Sequence, residues 1–210
     1  MRAFAAAVIL GAVLAATAGA APPVVMTLTA TPSSVAYGGK VTLAGQLSTK
    51  QPNQQIGIQA TPCGSTKRSK AGNVRTGADG TFTLSVDPAV GTSYAGSYKN
   101  GMSPVVPVTV KPVLELTRVA RGSFTAKATA GQALTGKFVL FQRYAKLRKR
   151  WVQVKRLALG PAVAGPTKPT MVSSVSFKAK LLRGTRVRMM ITAAQAGPCY
   201  AAALSKTIRA

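Results

Sequence analysis

The residues able to do chemistry in this chain are few. It holds 28 Lys plus Arg, three acids and no His, giving a net charge of +25. The acids are Asp79, Asp87 and Glu115, and the two cysteines are Cys63 and Cys199. Without His, the usual proton shuttle at neutral pH and the commonest metal ligand are both missing. Three acids in separate strands or turns supply no carboxylate pair for glycoside hydrolysis. Asp79 precedes Gly80 and reads as a side-chain-capped turn; Asp87-Pro88 reads the same way, and Glu115 as the ion-pair partner of a neighbouring cation. Two thiols do not close a zinc site without other ligands. A Ser-Lys nucleophile pair is not excluded by composition, but no motif points to one. The expectation is a protein that is not an enzyme and has no metal site or cofactor.

What remains is cationic. Gly136–Arg156 reads as two strands, Phe138–Arg143 and Trp151–Leu157, joined by a tip carrying Lys146, Arg148, Lys149 and Arg150. Tyr144 and Trp151 flank that tip, placed either to stack on bases or sugars or to pack the hairpin against its sheet. Such an excess of one sign favours polyanions in solution: nucleic acid, anionic lipid or acidic wall polymers. The alternative is a solvated surface with no ligand.

The elements that must position these residues are strands. Hydrophobic residues make up 47% of the chain, so a packed core is available despite the charge. Met1–Ala20 has the form of a secretory signal: Arg2, an apolar Phe4–Ala16 too short to span a bilayer, and Ala18-Gly19-Ala20 for cleavage. The mature protein then starts at Ala21 and is secreted, or associated with the cell envelope, with no later transmembrane segment. Val24–Ala30, Val41–Ser48, Gln54–Ala60, Thr81–Val86, Ser93–Lys99 and Pro104–Lys111 read as strands from alternation and turn signals. Thr61–Gly72 reads as a polar loop holding Cys63, and Asn73–Thr76 as a short edge strand. After Val110-Lys111-Pro112 the pattern restarts: Val113–Val119, Ser123–Ala130, Phe138–Arg143, Trp151–Leu159, Ser174–Leu181, Thr185–Thr192 and Tyr200–Arg209, with Gly160–Thr170 as a loop.

The halves align without a gap over Val41–Gln59 against Phe124–Gln142, where Ile56 meets Val139 and Ile58 meets Phe141. Gly91-Thr92 recurs as Gly184-Thr185. Two copies of one strand-rich unit are expected, at residues 21–111 and 112–210 after a signal peptide at 1–20. The sequence resembles the tandem immunoglobulin-like β-sandwich modules of secreted actinobacterial proteins. The residues that carry the resemblance are Gly136-Lys137 with Val139, Phe141 and Gln142, then Trp151, Val152 and Val154, and Arg183-Gly184-Thr185 into Val187. In the first copy they are Gly77–Phe82 and Gly91-Thr92 with Tyr94. The resemblance implies an all-β fold of two tandem immunoglobulin-like antiparallel β-sandwiches, used for binding, spacing or adhesion. The cysteine pair inside each antibody sandwich is lacking.

Strand parity makes two further predictions. In an antiparallel sandwich, the loops after odd strands share one end and those after even strands the other. Cys63 then leaves copy one where Cys199 enters copy two, and an oxidising compartment allows a Cys63–Cys199 bond. Unpaired thiols or intermolecular pairing are the alternatives. The same parity gathers Arg121, Lys146, Arg148, Lys149, Arg150, Arg183 and Arg186 at the far end of copy two, a candidate polyanion-binding set. The partner expected is an anionic envelope polymer or surface; the alternative is another protein docked along a sheet edge.

Overall fold

A computed structural model describes residues 25–167 and 169–210. The leader read at 1–20 and the mature start at Ala21 lie outside the described residues. Strands dominate. The first nine are β1 (Thr29–Thr31), β2 (Ser34–Ala36), β3 (Val41–Gln46), β4 (Gln55–Pro62), β5 (Ser69–Arg75), β6 (Thr81–Val86), β7 (Thr92–Tyr98), β8 (Gly101–Met102) and β9 (Val106–Lys111). They form a sheet β1-β3-β6 facing a sheet β2-β9-β7-β4-β5, with β8 on β7. All these ladders are antiparallel except β2 on β9, which is parallel.

The remaining strands are β10 (Val113–Ala120), β11 (Ser123–Ala130), β12 (Phe138–Ala145), β13 (Arg150–Ala158), β14 (Ala162–Ala164), β15 (Met171–Lys178), β16 (Arg186–Ile191), β17 (Ala203–Leu204) and β18 (Ile208–Arg209). They form a sheet β10-β11-β15-β14 facing a sheet β13-β12-β16-β17, with β18 also on β16. Among the described residues no ladder joins a strand before Pro112 to one after it.

Each pair of sheets closes on alternating apolar residues, as the period of two requires. In the first, Val41, Leu43, Ile56, Ile58, Phe82, Tyr94 and Val108 are buried together. In the second, Leu114, Leu116, Phe124, Val139, Phe141, Val187, Met189 and Ile191 are. Phe124, Phe141 and Phe177 pack as a trio with ring centroids 4.9 to 5.7 Å apart. The gapless alignment of the two halves is structural: its offset carries β4 onto β12 residue for residue, and Ile56/Val139 and Ile58/Phe141 are matched buried pairs. Both hairpins bulge at the same place: Ala71 of β5 is the extra residue opposite Ile58 and Gln59, and Val154 of β13 the one opposite Phe141 and Gln142. A bulge sharpens local twist, so each hairpin bends at the same step.

The last strand is split in both halves: the sequence reads Tyr200–Arg209 as continuous, and in the first half the short strand β8 precedes the strand read at Pro104–Lys111, which is β9. Ser103 interrupts β8 and β9: its hydroxyl accepts from Gly96 N (2.8 Å) and donates to Pro104 O (2.9 Å). Ser205 interrupts β17 and β18 identically, with Met189 N and Lys206 O, both at 2.9 Å. A buried hydroxyl replaces a carbonyl in the ladder, so the break leaves no amide unpaired.

Four readings need correction. Ser69–Gly72 belongs to β5 rather than to a loop. It is an edge strand paired on β4 alone, so most of its residues are exposed and Ser69–Gly72 shows no hydrophobic alternation. Ser34–Ala36, outside the strands read from sequence, is β2. Ala162–Ala164, read within a loop, pairs with β15 as β14. Thr192 ends no strand: it caps a one-turn helix, α1 (Ala193–Ala196), its hydroxyl accepting from Gln195 N at 3.3 Å. One turn is too short to show a helical period.

The halves meet through a packed junction. Val90 and Val110 belong to the second core, and Val35, Tyr37 and Cys63 pack against it. Tyr200 Oη donates to Ala89 O (3.2 Å), and the Tyr37 and Thr170 hydroxyls are 2.9 Å apart. Cys63 and Cys199 are joined by a disulfide.

Candidate functional site

Three turns close the end of the second pair of sheets away from this junction. Between β10 and β11 the turn is Arg121-Gly122, with Gly122 at φ 70°. Between β12 and β13 it is Lys146-Leu147-Arg148-Lys149, closed by Lys149 N to Lys146 O (3.2 Å) with Lys149 at φ 47°. Between β15 and β16, Thr185 N and Oγ1 both donate to Leu182 O (3.1 and 2.7 Å), and Gly184 takes φ 80°. Positive φ suits glycine because a side chain there crowds the backbone. The first and third turns are tied by Ala179 N to Gly122 O (2.8 Å).

The seven cations proposed from sequence are all exposed. Arg121 and Arg183 line one cleft of about 230 Å³, with Arg118, Phe124 and Leu181. Lys146, Arg148, Arg183 and Arg186 line a second of about 550 Å³, with Arg143, Leu147 and Leu182. Arg183 is common to both. Arg121 also lines a third cleft with Lys155, Lys178 and Lys180. Lys149 and Arg150 stand at the hairpin tip and line none of these. Arg118, Arg143, Lys155, Lys178 and Lys180 were missed by sequence reasoning. Four of them sit within strands and Lys180 lies just after β15, and their direction depends on register, which composition does not carry.

The electrostatics are one-sided. No Asp or Glu follows Glu115 in the chain. Glu115 itself pairs with Lys127 at 3.2 Å. Among the described residues none of the seven cations makes an ion pair. One of them is held by other means. The Arg186 guanidinium lies 4.1 Å over the Tyr144 ring, and beside it Arg188 lies 4.1 Å over Trp151. Arg188 Nε donates to Gln142 Oε1 at 2.9 Å, and burial pushes its pKa below the usual guanidinium value. Tyr144 and Trp151 meet edge to face at 5.5 Å. The rings therefore pack on each other and under arginines, the hairpin-packing role of the two considered.

The acids occupy structural positions. Asp79 Oδ1 accepts from Thr81 N (3.2 Å) and Thr81 Oγ1 (2.6 Å), which holds its carboxyl below the ordinary value. Asp87 and Glu115, apart in sequence, line one cleft at the junction, with Lys127 beside Glu115.

Strand order defines the class: immunoglobulin-like antiparallel β-sandwich, with facing sheets whose neighbours skip in chain order as Greek-key connections require. No family model and no curated protein matches the chain. Among solved structures, a marsupial T cell receptor chain is similar at TM-score 0.31 and 12% identity, over 88% of this chain and 99% of that one. A second such chain has TM-score 0.37 and 9% identity, over 88% and 71%.

Proposed function

We propose that this is an exported, non-catalytic protein of two tandem sandwich modules dividing at Pro112, like the secreted actinobacterial modules its sequence resembles. Its second module binds an anionic envelope polymer or surface through the cations of its far end. The disulfide and the absence of a membrane-crossing helix among the described residues fit such a location. Residues 112–210 carry 19 of the 28 cations and one of the three acids.

The observation that carries the reading is the shared lining of two adjoining basic clefts by Arg183, with no carboxylate paired to any of the seven cations among the described residues. Closely spaced phosphate, sulfate or carboxylate groups would replace the missing counter-charge, with affinity that falls steeply as salt rises. The test is retention on heparin and teichoic-acid columns. Replacing Lys146, Arg148, Lys149 and Arg150 by Gln is expected to leave the fold intact and move elution to much lower salt. Unchanged retention would defeat the reading. Retention indifferent to salt would favour docking along a sheet edge instead.

A further inference from the structure

The three most exposed large hydrophobic side chains among the described residues are Leu147, Leu182 and Val119, at 102%, 84% and 69% relative exposure. Leu147 and Leu182 belong to two of the turns that carry the cations, and Val119 lies in β10 beside the third. Leu147 lies between Lys146 and Arg148 at the hairpin tip, and Leu182 precedes Arg183. Val119 sits at the β10 irregularity, two residues before Arg121. Leu147 and Leu182 line the same cleft. Scattered surface leucines need no explanation, but two apolar tips side by side on the turns of one cationic end do.

We infer that the anionic partner is the surface of a lipid bilayer, which Leu147 and Leu182 enter while the surrounding cations engage acidic headgroups. This rests on the basic-end reading proposed above and names its partner. A soluble polyanion satisfies the guanidinium and ammonium groups but leaves both leucines in water. A bilayer satisfies both sets at once. Headgroup phosphates meet the charges, and the boundary of the acyl chains, about 5–10 Å deeper, takes the apolar tips. The long Lys and Arg stems let their heads stay at headgroup level as the tips descend.

The tip is built for this depth ordering. Leu147 is at the apex of its loop, and Lys146 and Arg148 flank it. Tyr144 and Trp151 stand behind it on the strands, an amphipathic pair suited to the interface. With no membrane-crossing helix among the described residues, attachment is peripheral: the module lies on the membrane rather than spanning it. The junction with the first module, at Gly91 and Cys199, is at the opposite end, so that module points away from the lipid.

Trp151 is the only tryptophan in the chain, and its emission therefore reports from beside the contact. The mature protein is titrated with vesicles of phosphatidylcholine, with vesicles of phosphatidylcholine plus phosphatidylglycerol, and with soluble polyphosphate. Co-sedimentation and Trp151 emission are read for the vesicles, and affinity for polyphosphate is measured separately. The wild type is expected to bind only the anionic vesicles, with a blue shift. Leu147→Ser with Leu182→Ser is expected to lose about ten-fold or more in vesicle affinity and to keep its polyphosphate affinity. Vesicle binding unchanged in that variant overturns the inference. So does a wild type that binds polyphosphate but not anionic vesicles, which would make a soluble polymer the partner. A wild type that binds neither overturns the basic-end reading itself, and the inference with it.

Discussion

Cys63 and Cys199, separated by 136 residues in the chain, are covalently joined with their Cα atoms 5.3 Å apart. The bond lies in a seam of backbone hydrogen bonds. Cys63 N donates to Gly91 O (2.8 Å), Gly91 N to Cys199 O (2.9 Å), and Ala201 N to Val110 O (2.9 Å). Gly91 thus bridges both half-cystines. No side chain fits easily there, since a Cβ on Gly91 would come within 3.2 Å of Cys199 O. The linkage fastens one half of the chain to the other rather than stapling the two sheets of one sandwich.

Reduction should therefore loosen the junction before it unfolds either pair of sheets. Cys63→Ser with Cys199→Ser is expected to lower stability by about 2–5 kcal/mol while leaving the strand content unchanged. Urea unfolding followed by circular dichroism measures the first, and the native spectrum the second. Tryptic peptides containing Cys63 and Cys199 should co-elute as one species only without reductant.

Phe141 is fully buried within the trio with Phe124 and Phe177, at 4.9 Å from the latter. Phe141→Ala removes a ring that no neighbour can replace and is expected to cost about 3–5 kcal/mol. Its counterpart Ile58 is also fully buried, and Ile58→Ala should cost about 2–5 kcal/mol. Chemical-denaturation midpoints of the two variants give the comparison.

Tyr200 offers a pH test. Burial raises its phenol pKa above the ordinary value, because the charged form loses hydration. A raised folded pKa favours the neutral form in the folded state. Its contribution is complete below about pH 10, the unfolded value, and is lost as pH rises from there through the folded value. Tyr200→Phe is expected to flatten this alkaline decline in melting temperature. At neutral pH it should cost about 1–3 kcal/mol, because Ala89 O loses its donor. An alkaline decline as steep in the variant as in the wild type would assign it to other groups.

Asp79 should act at the other end of the pH scale. Its carboxylate is stabilised by Thr81, so the turn is supported above the ordinary carboxylate range and loses that support as pH falls through the lowered folded value. Asp79→Ala should lower stability at neutral pH and weaken the acid dependence, measured by thermal melts across the acid range.

Much of the architecture was legible before any coordinates. Alternation at Val41–Leu47 and Thr81–Val86 is written in residue types, since a half-buried strand must repeat every second residue. The match of Ile56 and Ile58 with Val139 and Phe141 carried the internal repeat, and strand parity with a short linker made the Cys63–Cys199 bond feasible, which the structure contains. The illegible parts were those with no period of their own. Edge strand β5 buries no residue fully and half-buries only Gly72 and Val74, β2 and β14 span three residues each, and α1 has one turn. The serine breaks in the last strands depend on a hydroxyl meeting an amide of another strand, a relation between distant residues.

By itself, the sequence determined composition and pattern: a strongly cationic chain, strands in two similar series, and cations on the turns of the second series. Those are local properties, carried by residue type and spacing. The tertiary structure alone decided the relations across strands. It brought Arg183 between two clefts, laid Arg186 and Arg188 over Tyr144 and Trp151, and left Leu147 and Leu182 uncovered at the same end. The reason is physical. A strand's own period fixes which face a side chain takes, but register and turn closure with other strands fix which side chains become neighbours.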